Sequence, residues 1–161
     1  MFCVSQPKVL ALVSAAVLLL GVFFLVFPHS KEALSPMASV ALHEVVVSFG
    51  QTVIHAELAD TPELHERGLY GRESLSDGHG MLFVFPKSGE YGFWMKGMRF
   101  PIDIVWINAQ HEVVGVERNV SPDSFPKVFY PPVPISLVLE VPAGFCDTHG
   151  IKVGDVVREK R

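Results

Sequence analysis

Two charged side chains stand within apolar runs that otherwise read as buried β-strands. Lys96 ends the run of residues 93–96, and Asp103 lies inside residues 101–107, whose other members are apolar. A charge removed from water is costly unless it is paired or hydrated. Packing alone therefore does not explain these two residues, and we treat both as candidate members of a functional site.

Strand geometry decides which of these side chains can meet, because successive residues of a strand point to opposite faces. Trp94 and Lys96 share one face of their predicted strand. Asp103 and Glu140 each lie on the face opposite to their immediate neighbours, in two other apolar runs. If these three strands are neighbours in the sheet, the four side chains converge on one site.

Two arginines could complete such a site, because Arg67 and Arg72 follow the clearest helix signal and would supply counter-charges. One interpretation is a structural ion-pair network, in which Asp103 pairs with one of these arginines and holds the helix on the sheet. The other interpretation is a ligand site. The residues predicted to bind the ligand are Arg67, Arg72, Trp94, Lys96 and Asp103.

An aromatic platform beside Lys, Arg and carboxylates suits a polar ligand, such as a sugar, a cell-wall fragment or a small acid, or a partner that presents such groups. The alternative function is a small envelope hydrolase that uses Asp103 and Glu140. Glycoside hydrolysis would require these two carboxyls to be about 5–9 Å apart. The sequence leaves binding and hydrolysis open, and so does not decide whether the protein is an enzyme.

Other chemistries have no signature in the sequence. There is no nucleophile elbow, phosphate-binding loop or dinucleotide fingerprint, so we expect no cofactor. The seven histidines lack His-x-His or His-x-x-x-His spacing, and we therefore expect no metal site.

The charge of the predicted domain limits its partners. Over residues 43–161, omission of Lys8, Lys31 and Glu32 from the totals of 13 basic and 17 acidic side chains leaves 11 and 16. A net charge of about −5 argues against nucleic acid or anionic lipid as the partner.

The N-terminal region predicts a membrane anchor. Residues 9–27 contain no charge and no proline, and an apolar run of this length is enough to span a bilayer. Lys8 precedes the run, so the positive-inside rule places residues 1–8 in the cytoplasm of a bacterial cell. Residues 28–42 would then be a tether, and the domain of residues 43–161 would face the periplasm or the cell exterior. The alternative is a long signal sequence that is cleaved.

The rest of the chain predicts one mainly β domain. Short β-rich runs separated by turn residues are typical of antiparallel structure. We expect a compact antiparallel sandwich or barrel-like fold with one or two short helices, at residues 60–68 and 143–149. The loop of residues 119–134 holds five prolines and three aromatic residues, which favour a stiff, packed flap over a floppy segment. The simplest interpretation of this loop is a structural crossover. The predicted strands are residues 44–49, 52–58, 81–85, 91–96, 101–107, 112–117, 135–141 and 156–158.

A set of short motifs runs along residues 45–157. The motifs are Ala59-Asp60-Thr61-Pro62, Arg67-Gly68-Leu69, Arg72, Gly80-Met81-Leu82-Phe83, Phe85, Phe93-Trp94-Met95-Lys96, Pro101-x-Asp103, Leu139-Glu140, Ala143-Gly144 and Gly154-Asp155. Together they resemble the domain of unknown function 192 family, a group of small bacterial and archaeal domains that are often exported. The resemblance implies a compact β-rich fold and no particular activity. Gly97-Met98 stands where the family commonly shows Asn-Thr, which puts any hydrogen bonding by that pair in question here.

Overall fold

Short β-rich runs and tight turns form a curled sheet with two short helices in residues 43–160, the part of the chain that the computed structural model describes. Helix α1 covers Pro62–Arg67, helix α2 covers Phe145–His149, and a 3-10 turn covers Pro122–Ser124. The strands of this part are β1 (Glu44–Phe49), β2 (Thr52–Ala59), β3 (His79–Gly89), β4 (Phe93–Trp94), β5 (Ile102–Ile107), β6 (Val113–Val120), β7 (Val128–Phe129), β8 (Ile135–Pro142) and β9 (Val157–Lys160).

Seven of these strands form one sheet in the order β6-β5-β8-β3-β2-β1-β9. Neighbours are antiparallel except β2 and β3, which are parallel because the chain returns between them through α1. A bridge between Glu112 and Val156 joins the edges, and the Val113 N–H donates to the Asp155 carbonyl at 2.9 Å. The sheet therefore curls into a half-barrel. The predicted mainly β class is confirmed, and the barrel-like form describes it better than the sandwich.

Apolar side chains pack on both faces of this sheet. The inner cluster joins Val113 and Val157, from the two edge strands, to Phe145 of α2, so it fills the curl. The outer cluster lies on the other face and contains Phe83 and Trp106. Strand β5 is buried at all six positions because both of its faces are covered. Its nearly continuous apolar sequence follows from this double burial.

Helix α1 begins and ends where its sequence predicts. The Thr61 hydroxyl accepts a hydrogen bond from the Leu64 N–H at 3.3 Å, and Pro62 occupies the first turn. Gly68 ends the helix with a φ of 46°, a conformation that favours glycine. Leu64 packs against the outer cluster. The helix is thus held on the outer face, and its last turn reaches the site described below.

The proline-rich loop is a packed flap, whereas a plain crossover is its simplest interpretation from sequence. Within it, β7 pairs with β4, so that Phe93 lies opposite Phe129 and Trp94 lies opposite Val128. Phe129 is buried in the outer cluster. These contacts hold β4 over the outer face, although β4 and β7 form a separate two-stranded sheet.

Within residues 43–160, no helix has the length and apolar character needed to cross a membrane. The apolar run of residues 9–27 and the predicted tether of residues 28–42 lie outside the described residues. Their assignment as an anchor or signal sequence stays a prediction from the sequence.

Candidate functional site

Pairing across the sheet places Glu140 on the outer face. In β8, Glu140 lies directly opposite Met81 of β3 and Ile104 of β5, and Met81 lies opposite Glu57 of β2. Residues directly opposite each other share a face, and Met81 and Ile104 belong to the outer cluster. Glu140 and Glu57 are therefore two carboxyls in a row that crosses the outer face.

A cleft of about 190 Å³ reaches Glu140 from the surface. Its walls are the last turn of α1 with the residues that follow it, and the segment that contains β4. A second space of about 540 Å³ adjoins it. The residues that line both spaces are His65, Glu66, Tyr70, Gly92, Trp94 and Lys96. We call the first of these spaces, which reaches Glu140, the Glu140 cleft.

The carboxyl of Glu140 is buried without a hydrogen-bond partner. The residue is only 6% exposed, and no side chain or backbone group of residues 43–160 donates to its carboxyl. Burial raises the pKa of Glu140 to about 8, and the positive charge of Arg72 opposes this rise. At neutral pH the carboxyl is therefore mainly protonated, and it can donate a hydrogen bond as well as accept one.

Arg72 is already bound to another carboxylate. Its guanidinium donates to both oxygens of Glu57, at 2.5 and 2.6 Å. These hydrogen bonds are the main cause that lowers the pKa of Glu57 and raises the pKa of Arg72. The guanidinium fork binds one carboxylate in this bidentate geometry. Arg72 therefore influences Glu140 through its charge, while its hydrogen bonds go to Glu57.

The mouth of the Glu140 cleft is aromatic and basic. Trp94 is 51% exposed, and the Lys96 Nζ atom lies 5.2 Å from the centre of its ring. The ring of Phe125, from the flap, lies 5.7 Å from the Trp94 ring. Arg67, at the end of α1, is exposed and lines the same cleft. The rim thus carries two cations beside a half-exposed indole.

Gly97 shapes one edge of the cleft. Its φ is 68°, a conformation that other residues rarely adopt, and a Cβ at this position would overlap the ring of Tyr70. The Gly97 carbonyl accepts a hydrogen bond from the Gly71 N–H at 3.0 Å. The glycine that departs from the family pattern therefore lets Tyr70 pack against this turn. The hydrogen bond at this turn is therefore made by backbone atoms, with no side chain involved.

Asp103 lies on the opposite face of the sheet, so its predicted convergence with Glu140 is wrong. It pairs with Val141 of β8, one residue beyond Glu140. Asp103 is fully buried, and its predicted pairing with Arg67 or Arg72 is also wrong, because its carboxylate binds backbone groups instead. It accepts hydrogen bonds from the N–H groups of Asn119 at 2.8 Å, Gly144 at 3.1 Å and Cys146 at 2.9 Å. These bonds tie β5 to the end of β6 and to the start of α2.

The structure brings together only part of the predicted set. The predicted residues that line the Glu140 cleft are Arg67, Trp94, Lys96 and Glu140. Sequence reasoning missed Tyr70 and His65, whose Nε2–H donates to the Ala59 carbonyl at 3.0 Å. It also missed Glu57, which alternates with apolar residues in β2 and so resembles a solvent-facing residue. Only the parallel pairing of β2 with β3 brings it towards Arg72.

Within residues 43–160, no three His, Cys, Asp or Glu side chains are grouped in a way that could hold a metal ion. Cys146 is buried at the start of α2. Burial, together with the nearby charge of Asp103, raises the pKa of its thiol to about 12. Such a thiol is not ionised at neutral pH and is a poor nucleophile. The Glu140 cleft is therefore the candidate site in this part of the chain.

The structure is that of a small β domain, a half-barrel with a cleft on its outer face. Comparison of the sequence with protein-family models identifies the family. The chain belongs to the domain of unknown function 192 (DUF192) family, described as an uncharacterized ACR, whose model matches residues 45–159. The resemblance found in the motifs is thereby confirmed.

Two solved structures are similar to this chain. A protein from Sinorhizobium meliloti, described as a candidate transcription regulator, is 27% identical with a TM-score of 0.69, and the match covers 74% of this chain and 96% of that one. A protein of unknown function from Novosphingobium aromaticivorans is 29% identical with a TM-score of 0.68, covering 78% and 91%. Among curated proteins there is no match.

Replacement of Asp103 tests its structural role. Asp103→Ala removes the acceptor of three backbone N–H groups, and we expect it to lower the free energy of unfolding by about 3–5 kcal/mol. Lys96→Ala, at the exposed rim, should leave this free energy nearly unchanged. Urea denaturation of both variants measures the difference. Equal losses for the two variants would contradict the assignment.

Glu140 should make stability depend on pH. Between its ordinary pKa of 4.5 and the folded pKa of about 8, the unfolded chain has lost the proton that the folded domain keeps. The free energy of unfolding should therefore fall by about 1.4 kcal/mol per pH unit as pH rises through this range. Glu140→Gln cannot titrate and should remove this slope, whereas Glu112→Gln removes an exposed carboxyl and is the control. Urea denaturation at pH 5 to 8 checks this, and identical slopes for both variants would refute it.

Proposed function

We propose that this domain binds a small polar ligand in the Glu140 cleft. The observation that carries the proposal is a largely buried carboxyl, open only to a cleft, that receives no hydrogen bond from residues 43–160. Such a carboxyl destabilises the fold, because it has lost most of its contact with water and has no protein donor in exchange. A ligand that pairs with Glu140 accounts for a carboxyl that packing does not need.

The walls of the cleft favour a ligand with both polar groups and an apolar surface. Tyr91 stacks on Phe85 with ring centres 3.8 Å apart, and both line the cleft. Trp94 adds a half-exposed ring at the mouth, beside the cations Arg67 and Lys96. Sugars, cell-wall fragments and small acids have this combination of groups.

Binding is better supported than hydrolysis. The alternative, an envelope hydrolase that uses Asp103 and Glu140, needs the two carboxyls to flank the scissile bond of one bound substrate. Their side chains lie on opposite faces of the sheet, and Asp103 is engaged by three backbone N–H groups. The regulator description of the Sinorhizobium meliloti protein is not extended to this chain, because a net charge of about −5 over residues 43–161 disfavours DNA.

We also place the domain outside the cytoplasm, on a membrane anchor. The support is the uncharged apolar run of residues 9–27 with Lys8 ahead of it. A tether of residues 28–42 would leave the domain close to the membrane surface. Its ligand would then be a component of the cell envelope or of the external medium.

Ligand binding can be followed through Trp94, which lies at the cleft while the second tryptophan, Trp106, is fully buried. We expect glucose, N-acetylglucosamine or lactate to change the tryptophan fluorescence of the full-length protein in a saturable way. Trp94→Phe should remove the signal, and Glu140→Leu should weaken binding at least tenfold, through loss of about 1.4 kcal/mol.

The matched control for these variants is Arg158→Ala, an exposed change on β9 away from the cleft. Its affinity should equal that of the unchanged protein. A saturable response that persists in Trp94→Phe and Glu140→Leu would place binding elsewhere. No response to any of the three compounds would count against the proposed function.

The placement of the domain is tested by protease treatment of intact spheroplasts. We expect residues 43–161 to be digested without permeabilisation, because the domain faces outwards. A cytoplasmic protein followed in the same sample controls for lysis. Protection of the domain until the membrane is permeabilised would contradict the placement. A mature chain that begins near Ser39 would replace the anchor with a cleaved signal sequence.

A further inference from the structure

We propose that the deep end of the Glu140 cleft receives a primary ammonium group of the ligand, with the Glu140 carboxylate as its counter-charge. This inference rests on the proposed function, and it names the chemical class of the group that binds deepest. Amines, amino sugars and amino acids carry such a group.

The charges of the cleft are separated by depth. The cations Arg67 and Lys96 and the acid Glu66 are exposed at the rim. Among the residues that line the cleft, Glu140 is the ionisable side chain that is buried. His65 is half-buried, and its Nε2–H is used by the Ala59 carbonyl. Arg72 also acts on Glu140 through its charge, but this charge is offset by the ion pair of Arg72 with Glu57. A ligand that enters therefore meets the basic rim first and Glu140 last.

Aromatic rings surround the approach to Glu140. Phe83 and Phe93 meet edge to face with ring centres 5.0 Å apart, and both line the cleft beside the stacked pair Phe85 and Tyr91. These rings donate no strong hydrogen bond, so they offer nothing to pair with an anion at this depth. An anionic group would also be repelled by the ionised form of Glu140. An ammonium group can pair with that ionised form, so the surroundings favour it over an anion.

The alternative is a neutral group, such as a hydroxyl or a carbonyl. It could pair with the protonated carboxyl, but it would not gain the charge attraction that an ammonium group has with the ionised form. The rim cations also fit an ammonium ligand that carries a second, anionic group, because Arg67 and Lys96 would meet that group at the mouth. The arrangement as a whole therefore matches a molecule whose cationic end lies inside.

Binding of an ammonium group has a proton balance that distinguishes it from binding of a neutral group. Burial raises the pKa of Glu140 to about 8. At pH 7, the Glu140 carboxyl is therefore protonated in most protein molecules before the ligand binds. When the ammonium group binds, Glu140 releases this proton to the solvent and accepts an N–H hydrogen bond from the ligand. The ligand keeps its charge and no covalent bond changes. A neutral ligand would leave the proton on Glu140.

The test uses the full-length protein with carbon-13 in its glutamate carboxyls, and ethylammonium chloride as the probe. The carboxyl signal of Glu140 is followed against pH by NMR at constant ionic strength. We expect saturating ethylammonium to lower the pKa of Glu140 by about 1–3. Ethanol and sodium acetate, which match the probe in size, should leave this pKa unchanged. This measurement needs no variant that could fail to fold.

A variant pair supplies the second readout. Glu140→Gln keeps the shape and hydrogen-bonding groups of the protonated acid but cannot become an anion, so ethylammonium binding should fall at least tenfold. Glu112→Gln, an exposed change outside the cleft, should bind it as the unchanged protein does. Retained affinity in Glu140→Gln would overturn the inference.

The outcomes separate this inference from the proposed function. A pKa of Glu140 that ethylammonium does not lower, or that ethanol lowers equally, overturns the ammonium assignment. If a sugar or lactate binds through Trp94 while ethylammonium does not, the cleft is a ligand site for a neutral or anionic molecule. The proposed function then stands and the inference falls.

Discussion

The register of β8 between β3 and β5 determines where the chemistry of this domain can lie. Glu140 is directly opposite Ile104 and Met81, whereas Asp103 is opposite Val141. Because alternate residues of a strand face opposite ways, a shift of one residue would exchange the faces of every side chain in β8. The observed register sends one buried carboxyl towards the inside of the curl and the other towards the outer face.

The two carboxyls then meet opposite surroundings. Asp103 receives three backbone N–H groups, which fix β5, β6 and the start of α2 together, and the buried charge is stabilised by these donors. Glu140 receives none from residues 43–160, and Arg72, whose charge acts on Glu140, donates its hydrogen bonds to Glu57 instead. One acid therefore contributes to the fold. The other opposes it, which is the pattern expected of a residue kept for a ligand.

The sequence predicted both helices and every strand of the described part except β7, although β4 is shorter than predicted. Local signals such as Thr61, Pro62 and Gly68 decide the first helix, whereas β7 forms only through its pairing with β4. The sequence also predicted the correct face of Asp103 relative to Ile104. It could not supply the alignment of β5 against β8, which depends on contacts between residues far apart in the chain. For the same reason the ion pair of Arg72 with Glu57 was missed, since it requires the parallel crossover through α1.

The open cleft and the unpaired acid depend on each other. The outer face is covered by α1 on one side and by β4 with the flap on the other, and the gap between these covers lies at Glu140. If apolar side chains closed this gap, the carboxyl would lose its remaining access to water and its cost to folding would rise. If Glu140 were apolar, closure of the gap by apolar side chains would stabilise the fold, because an unfilled space in a core costs free energy. The cleft and the carboxyl are therefore one structural feature, and this is the feature on which the proposed ligand binding rests.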